Sequence, residues 1–352
     1  MSIRKKNFGK MYDGTQIDIF TLKNSKGMTV EITNFGGTVV SISVPDRNGK
    51  FADVALGYNS FEGYMDNDKY FGVILGRHAN RIENAKFEIN GVEYTIEKND
   101  GENSLHGGFN AFDKKVWKAE IINKDGSEAL QLSYYSKDGE EGFPGNMDTR
   151  VTYTLTEDNG LRINYYAVAD KDTVINLSNH SYFNLGGHDS GSVLEHQLKI
   201  YADKFTANDE FGIPTGEIRD VKGTPMDFTQ LTPVGPGLSS DYEQIIKGHG
   251  YDHNWVLKVS GKNPEIAAEV YEPGSGRVME VYTTSPGVQF YSGNFIEYKE
   301  GCKNNANYGS RSGLCLETQY FPNSLNQKHF PSPVFKAGQP FEHTTIYKFS
   351  VR

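Results

Sequence analysis

Short runs in which apolar and polar residues alternate recur along this chain. They cover Met28–Thr33, Trp117–Ile122, Leu130–Tyr135, Val151–Thr156, Leu161–Val168, Gln197–Tyr201, Trp255–Val259, Ala267–Tyr271, Val278–Thr283 and Ile346–Val351. A two-residue period places successive side chains on opposite faces, as a half-buried strand requires. Most runs are bounded by Gly, Asn, Asp or Pro, the residues that turn a chain between strands. No apolar repeat of helical period persists for a dozen residues. The best helical segment, Asp241–Lys247, spans a turn or two. The pattern predicts an all-β protein built as a large antiparallel β-sandwich. No linker, charge block or low-complexity run divides it, and no fixed-period repeat suggests a propeller. A single domain over residues 1–352 is therefore expected.

Composition narrows the function classes. The net charge is −9, a poor match for nucleic acid or an anionic membrane, and neither is expected as a partner. Aromatic residues make up 12% of the chain, with 21 Tyr and 21 Phe. Strand packing accounts for most of them, although aromatic rings also make flat platforms for sugars. Two cysteines, Cys302 and Cys315, are too few for a disulfide framework, and they are not expected to pair. The basic N-terminus is not followed by an apolar run, and no stretch approaches the ~18 apolar residues of a membrane helix. A cytoplasmic protein is the default expectation, although a chain trimmed of an export signal would read the same.

The stretch Asn179-His-Ser-Tyr-Phe-Asn-Leu-Gly-Gly187 stands out chemically. It puts His180, a proton carrier near neutral pH, among hydrogen-bonding and aromatic side chains, and closes on two glycines. His106, in Asn103-Ser-Leu-His-Gly-Gly108, likewise precedes a Gly pair. Glu317 lies where an apolar strand turns polar, a position that raises a carboxyl pKa and suits a general base. Asp252 lies in a turn-rich loop, and Arg81 follows a Gly-flanked apolar run. Taken singly, each has a structural alternative: a packed imidazole, a solvated edge carboxylate, a turn cap or a surface ion pair. His249 and His253 have helical metal-ligand spacing, but Gly248 and Gly250 make a helix there unfavourable, so no metal is expected. Gly-Pro-Gly at 235–237 reads as a turn. No strand-linked GxGxxG motif is present, and no cofactor is signalled.

Together these segments resemble the aldose 1-epimerase, or galactose mutarotase, family. The matching motifs run in order along the chain: Phe35-Gly-Gly-Thr38, Asp53-Val-Ala-Leu-Gly-Tyr58, Gly76-Arg-His-Ala-Asn-Arg-Ile82, Asn103-Ser-Leu-His-Gly-Gly108 and Gly142-Phe-Pro-Gly145. Asn179-His-Ser-Tyr-Phe-Asn-Leu185, Tyr251-Asp-His253, Gln289-Phe-Tyr-Ser-Gly-Asn294 and Leu316-Glu-Thr-Gln319 follow. The resemblance implies a large antiparallel sandwich with a sugar cleft, acting on free aldoses such as galactose and glucose, as a monomer or homodimer. It implies that His180 is the general acid toward the ring oxygen and Glu317 the base toward the anomeric hydroxyl, with His106 beside them. Asn80, Arg81, Asp252 and Gln289 would hold substrate hydroxyls. Ser181, Tyr182 and Phe290, next to matched positions, are expected to line the cleft.

Ring opening of a hemiacetal takes one proton from the anomeric oxygen and delivers one to the ring oxygen, so an acid and a base on opposite sides suffice. Nearby carboxylates are expected to raise the His180 pKa so that it starts as an acid. Three other readings compete. A glycoside hydrolase would use Glu317 and Asp252 as its carboxylate pair. A non-catalytic sugar-binding sandwich would need no acid-base pair. An epimerase of hexose 6-phosphates would need cations gathered around a phosphate, and Arg77 and Arg81 are the only near pair in these motifs.

Overall fold

The computed structural model describes residues 1–124 and 126–352. Its strands form three larger sheets and several two-stranded ladders, and the named strands pair antiparallel throughout. The largest sheet has nine strands in the order Lys118–Lys124, Ser127–Ser136, Met147–Leu155, Gly160–Ala169, Phe341–Val351, Arg277–Thr283, Glu265–Tyr271, Gln197–Ile200 and Thr232–Pro233. A five-stranded sheet runs in chain order from Ser2–Lys10 to Phe51–Asp53. A second five-stranded sheet has the order Pro214–Asp220, Lys204–Asn208, Asp252–Val256, Gly287–Tyr291 and Cys315–Gln319.

Alternation explains the large sheet. In Gly160–Ala169 the residues Leu161, Ile163, Tyr165 and Ala167 are buried, while the intervening ones are partly exposed. One apolar cluster draws on all three sheets: Val30 and Ile42 from the first, Leu132, Val151, Ile163 and Tyr347 from the large one, and Trp255, Phe290 and Leu316 from the last. Each such side chain contributes about 1.5–3 kcal/mol on burial.

Several expectations shift. The alternating run at Trp255–Val259 corresponds to a strand at Asp252–Val256, displaced toward the N-terminus by the polar residues that precede Trp255. Gly287–Tyr291 and Cys315–Gln319 are buried on both faces, so they lack the alternation that marks half-solvated strands. The helical segment near 241–247 is a single short helix, Glu243–Lys247. Gly-Pro-Gly 235–237, read as a turn, belongs to a one-turn helix, Val234–Gly237.

The last sheet positions the site. Phe205, Trp255, Phe290 and Leu316 face the common core. Their neighbours in the same strands (Asp252, Asn254, Gln289, Tyr291, Cys315, Glu317 and Gln319) face the other way. That second face is polar, and loops cover it. Among the described residues no helix is long and apolar enough to cross a membrane.

Candidate active site

The loops at 68–70, 80–81, 105–106 and 180–182 close over the polar face of the last sheet, leaving a cleft of about 170 Å³. His180 reaches it from the end of a two-residue ladder, Ser178–Asn179 paired with Ile74–Leu75. Its backbone N–H donates to the Val73 carbonyl (2.9 Å), and its carbonyl accepts from Gly72 N–H (3.0 Å). The ladder therefore fixes the backbone from which the imidazole projects. His106, at φ 55°, is carried by a tight loop. There Gly107 has φ 101°, and a Cβ would collide with the Gly76 carbonyl, so glycine is required.

Three groups converge. His180 Nε2 lies 3.7 Å from Glu317 Oε1. One donor atom each from His106, His180 and Glu317 lie within 4.8 Å of one another. The His180 ring is stacked between Tyr182 (centroids 5.0 Å, 27°) and Tyr70 (5.9 Å, 26°), with His106 edge-on at 5.2 Å. Asn80 N–H donates to His106 Nδ1 (3.1 Å). A ring nitrogen that accepts a backbone N–H carries no proton, so neutral His106 holds its hydrogen on Nε2. Asp252 Oδ1 accepts from Gln289 Nε2 (2.7 Å), and its Oδ2 lies 3.5 Å from Arg81. Arg81 Nε also donates to Asp100 (2.8 Å). Gln319 Nε2 donates to Gln289 Oε1 (3.2 Å), completing a chain of polar contacts beneath the cleft floor.

Burial dominates the electrostatics. It lowers the His180 pKa to about 4, which overturns the expectation that neighbouring carboxylates raise it. His106 is held well below its usual value by burial, the positive charge His180 can carry, and Arg81. Burial, reinforced by Asp252, pushes Glu317 well above the carboxylate range against the pull of Arg81. Glu317 Oε2 is buried and has no partner among the described residues. In the free cleft burial thus favours a neutral imidazole facing a protonated carboxyl, a pair that shares one mobile proton.

Of the residues singled out from sequence, His106, His180, Glu317, Asn80, Arg81, Tyr182 and Asp252 meet at the cleft. Gln289 lies just beneath it on Asp252. Two do not line it. Phe290 is fully buried on the core face, stacked on Tyr251 at 5.1 Å, because the two-residue period of its strand turns Tyr291 to the cleft instead. Ser181 is buried, with its Oγ donating to Asn179 Oδ1 (2.6 Å). Asp68, Lys69, Tyr70, Leu105, Tyr291 and Phe295 line the cleft without having been picked out. Alternation from Gln289 could have found Tyr291. Tyr70, at φ 59°, carries no such signal.

Other readings lose ground on geometry. Arg77 points away from the cleft and donates to Ser136 Oγ and to the carbonyls of Pro144, Ser136 and Lys137. The cleft cations Arg81 and Lys69 each face a carboxylate, so no cation cluster awaits a phosphate. His253 packs in the core against Phe205, whereas His249 lies against Phe295, so the two do not converge. Cys302 and Cys315 are both free and buried.

A polar cleft on an all-β sandwich, with an imidazole facing a carboxyl and its cations paired with carboxylates, has the groups for acid-base chemistry on a neutral, hydroxyl-rich molecule. A family model described as aldose 1-epimerase matches residues 18–348. Galactose mutarotases from Bos taurus and Homo sapiens are each 43% identical to this chain, over 100% and 99% of it and 99% of their own lengths. An aldose 1-epimerase from Escherichia coli (strain K12) is 37% identical over 96% of both chains. Among solved structures, a galactose 1-epimerase from Lactobacillus acidophilus NCFM superposes with a TM-score of 0.87 at 28% identity, covering 99% of each chain. An aldose epimerase homologue from C. elegans gives 0.85 at 29% identity, covering 94% of this chain and 98% of its own. The chain belongs to the aldose 1-epimerase family.

Proposed function

We propose that His180 and Glu317 are the acid and base with which this enzyme opens and recloses the ring of free hexoses such as galactose and glucose. The enzyme is an isomerase that interconverts the α and β anomers of aldose sugars. The observation that carries the residue assignment is the 3.7 Å approach of His180 Nε2 to Glu317 Oε1 inside the cleft. A sugar seated there takes the place of the direct contact, with its anomeric hydroxyl toward Glu317 and its ring oxygen toward His180. Passing the shared proton from Glu317 to His180 arms the pair as carboxylate and imidazolium. Glu317 then removes the O1 proton as His180 protonates the ring oxygen, and the C1–ring-oxygen bond breaks to give the aldehyde. Rotation about C1–C2 and the reverse transfers close the ring on the other face, with the two groups exchanging roles. His106, with its hydrogen on Nε2, donates to the oxygens at this end. Asn80, Arg81 and Asp252 hold the remaining hydroxyls, with Gln289 fixing Asp252 from beneath, and no step calls for a metal or cofactor. Two buried free thiols fit a cytoplasmic setting.

Polarimetry of fresh α-galactose and α-glucose tests the reading. The enzyme is expected to speed the decay of optical rotation, and Glu317→Gln to lower kcat by at least about 10²-fold, the usual loss for a missing general base. A near-normal Glu317→Gln rate sinks the base role. Activity after exhaustive chelation is expected to be unchanged. A loss restored by a divalent cation would instead place an ion among His106, His180 and Glu317.

A further inference from the structure

We infer that Cys315 is a positioning residue for His180, its sulfur accepting the Nδ1–H and so selecting the tautomer whose Nε2 faces Glu317 and the sugar. This inference rests on the acid role proposed above for His180. Cys315 and Glu317 are two residues apart on one strand, so their side chains leave the sheet on the same face. His180 spans the pair: Nδ1 is 3.5 Å from Cys315 Sγ, and Nε2 is 3.7 Å from Glu317 Oε1. The sulfur makes the only side-chain hydrogen bond to Nδ1 among the described residues.

The proton count shows why this contact matters. To return a proton to the ring-opened sugar and take it back, Nε2 must alternate between bearing a hydrogen and being bare. The hydrogen on Nδ1 must therefore stay in place throughout. A neutral imidazole with Nδ1–H and bare Nε2 is also the form that accepts from a protonated Glu317. Without an acceptor at Nδ1, the neutral ring is free to carry its hydrogen on Nε2, and that form cannot take the proton back. Imidazoles at functional sites commonly have such a fixed partner, often a carboxylate or a carbonyl. Here the side-chain partner is a thiol, a weak acceptor, which adds to the residue's own backbone carbonyl, a group that also favours a ring N–H. With its own S–H turned away from the ring, the thiol favours the Nδ1–H form without adding a negative charge that would hold the proton on the ring. The thiol itself stays protonated, because burial, Glu317 and Asp252 all disfavour a thiolate. Tyr70, Tyr182, His106 and Tyr291 surround the ring but touch its faces and edges.

The test compares Cys315→Ala, which removes the acceptor, with Cys315→Ser, which keeps one in nearly the same volume. Orienting partners of functional imidazoles are typically worth 10–100-fold. Cys315→Ala is therefore expected to lower kcat for α-galactose about tenfold or more with KM within about twofold, and Cys315→Ser to recover most of that loss. Two-bond ¹H–¹⁵N correlation spectra, with His180→Asn supplying the assignment, are expected to show the Nδ1–H form of His180 in the wild type and in Cys315→Ser. In Cys315→Ala the signal should move toward Nε2–H. Far-ultraviolet circular dichroism confirms that the variants fold. Unchanged kcat in folded Cys315→Ala, an equal loss in Cys315→Ser, or an Nε2–H wild-type His180 each overturns the inference. Should His180→Asn keep the wild-type rate, the acid assignment itself fails. If His180→Asn is inactive while Cys315→Ala is not, only the role of Cys315 falls.

Discussion

A histidine in water is half protonated near pH 6.5, but His180 sits between two tyrosine rings in a site that excludes solvent, where its charge is lost near pH 4. Glu317 is displaced in the opposite direction for the same reason. Burial thus moves both groups toward their neutral forms and widens the range over which the pair holds a single proton. On the roles proposed for His180 and Glu317, the active state carries that one proton, wherever it resides. As pH falls toward 4 the pair gains a second proton, Glu317 cannot act as base, and the rate drops. As pH rises through the elevated Glu317 value the pair loses its proton, and the acid is gone. The plot of kcat/KM against pH is therefore expected to have its acid limb nearer 4 than 6.5 and a basic limb displaced above the ordinary carboxylate range. The two limbs belong to the pair and not to either residue alone. An acid limb at 6.5 would show that the imidazole is solvated in the free enzyme. At this scale the candidate site was legible through the ordered set of motifs, because His180 before its glycine pair and Glu317 in an apolar strand, taken singly, each had a structural alternative. The size and sign of the His180 shift were not legible, since they depend on Tyr70 and Tyr182 closing over the ring.

Strand periodicity decides which side chains of an element meet the sugar. In Gly287–Tyr291 the Gln289 and Tyr291 side chains point to the cleft, and Phe290 between them points to the core, packed with Phe228, Tyr251 and Trp255. Phe290→Ala therefore removes a core aromatic and is expected to cost about 3–5 kcal/mol of stability. Whatever fraction remains folded should keep its KM within about twofold, as measured by chemical unfolding and by polarimetry on the same preparation. A raised KM with little loss of stability would put the ring in the cleft after all. The same periodicity made Ile163 and Tyr165 readable as core. It could not locate this strand as an element, because burial on both faces erases the alternation. Loop residues such as Tyr70, Asn80 and His106 share a left-handed backbone. Asn tolerates that conformation, whereas Tyr and His pay for it, a strain that marks functional loops but is invisible to hydropathy.

Across the whole molecule, buried neutral histidines link stability to pH. His78, His196 and His253 are buried, and burial lowers their pKa values to about 4, 4 and 3. In the unfolded chain each returns to about 6.5. Between pH 6.5 and 4 the unfolded state therefore binds more protons than the folded one, so stability falls as pH is lowered through that window. At pH 5 an unfolded histidine gains about 2 kcal/mol relative to one kept neutral. The raised carboxyls of Glu317 and Asp113 act in the opposite sense and offset part of this sum. A net loss of a few kcal/mol corresponds to a fall of roughly 5 °C in Tm for a chain of this size. The three histidines lie in different places: His78 in a loop bridged to Asn176, His196 accepting from Leu185 N–H beside the nine-stranded sheet, and His253 in the last sheet. One apolar cluster joins the three large sheets. We propose that the chain folds as one unit, so protonation at any of these sites should draw on the same transition. Calorimetry at pH 7.5 and pH 5 is expected to show a single peak that moves down as a whole. Two peaks with different acid sensitivity would divide the molecule at a sheet boundary, and a Tm that rises on acidification would mean that the buried carboxyls outweigh the histidines.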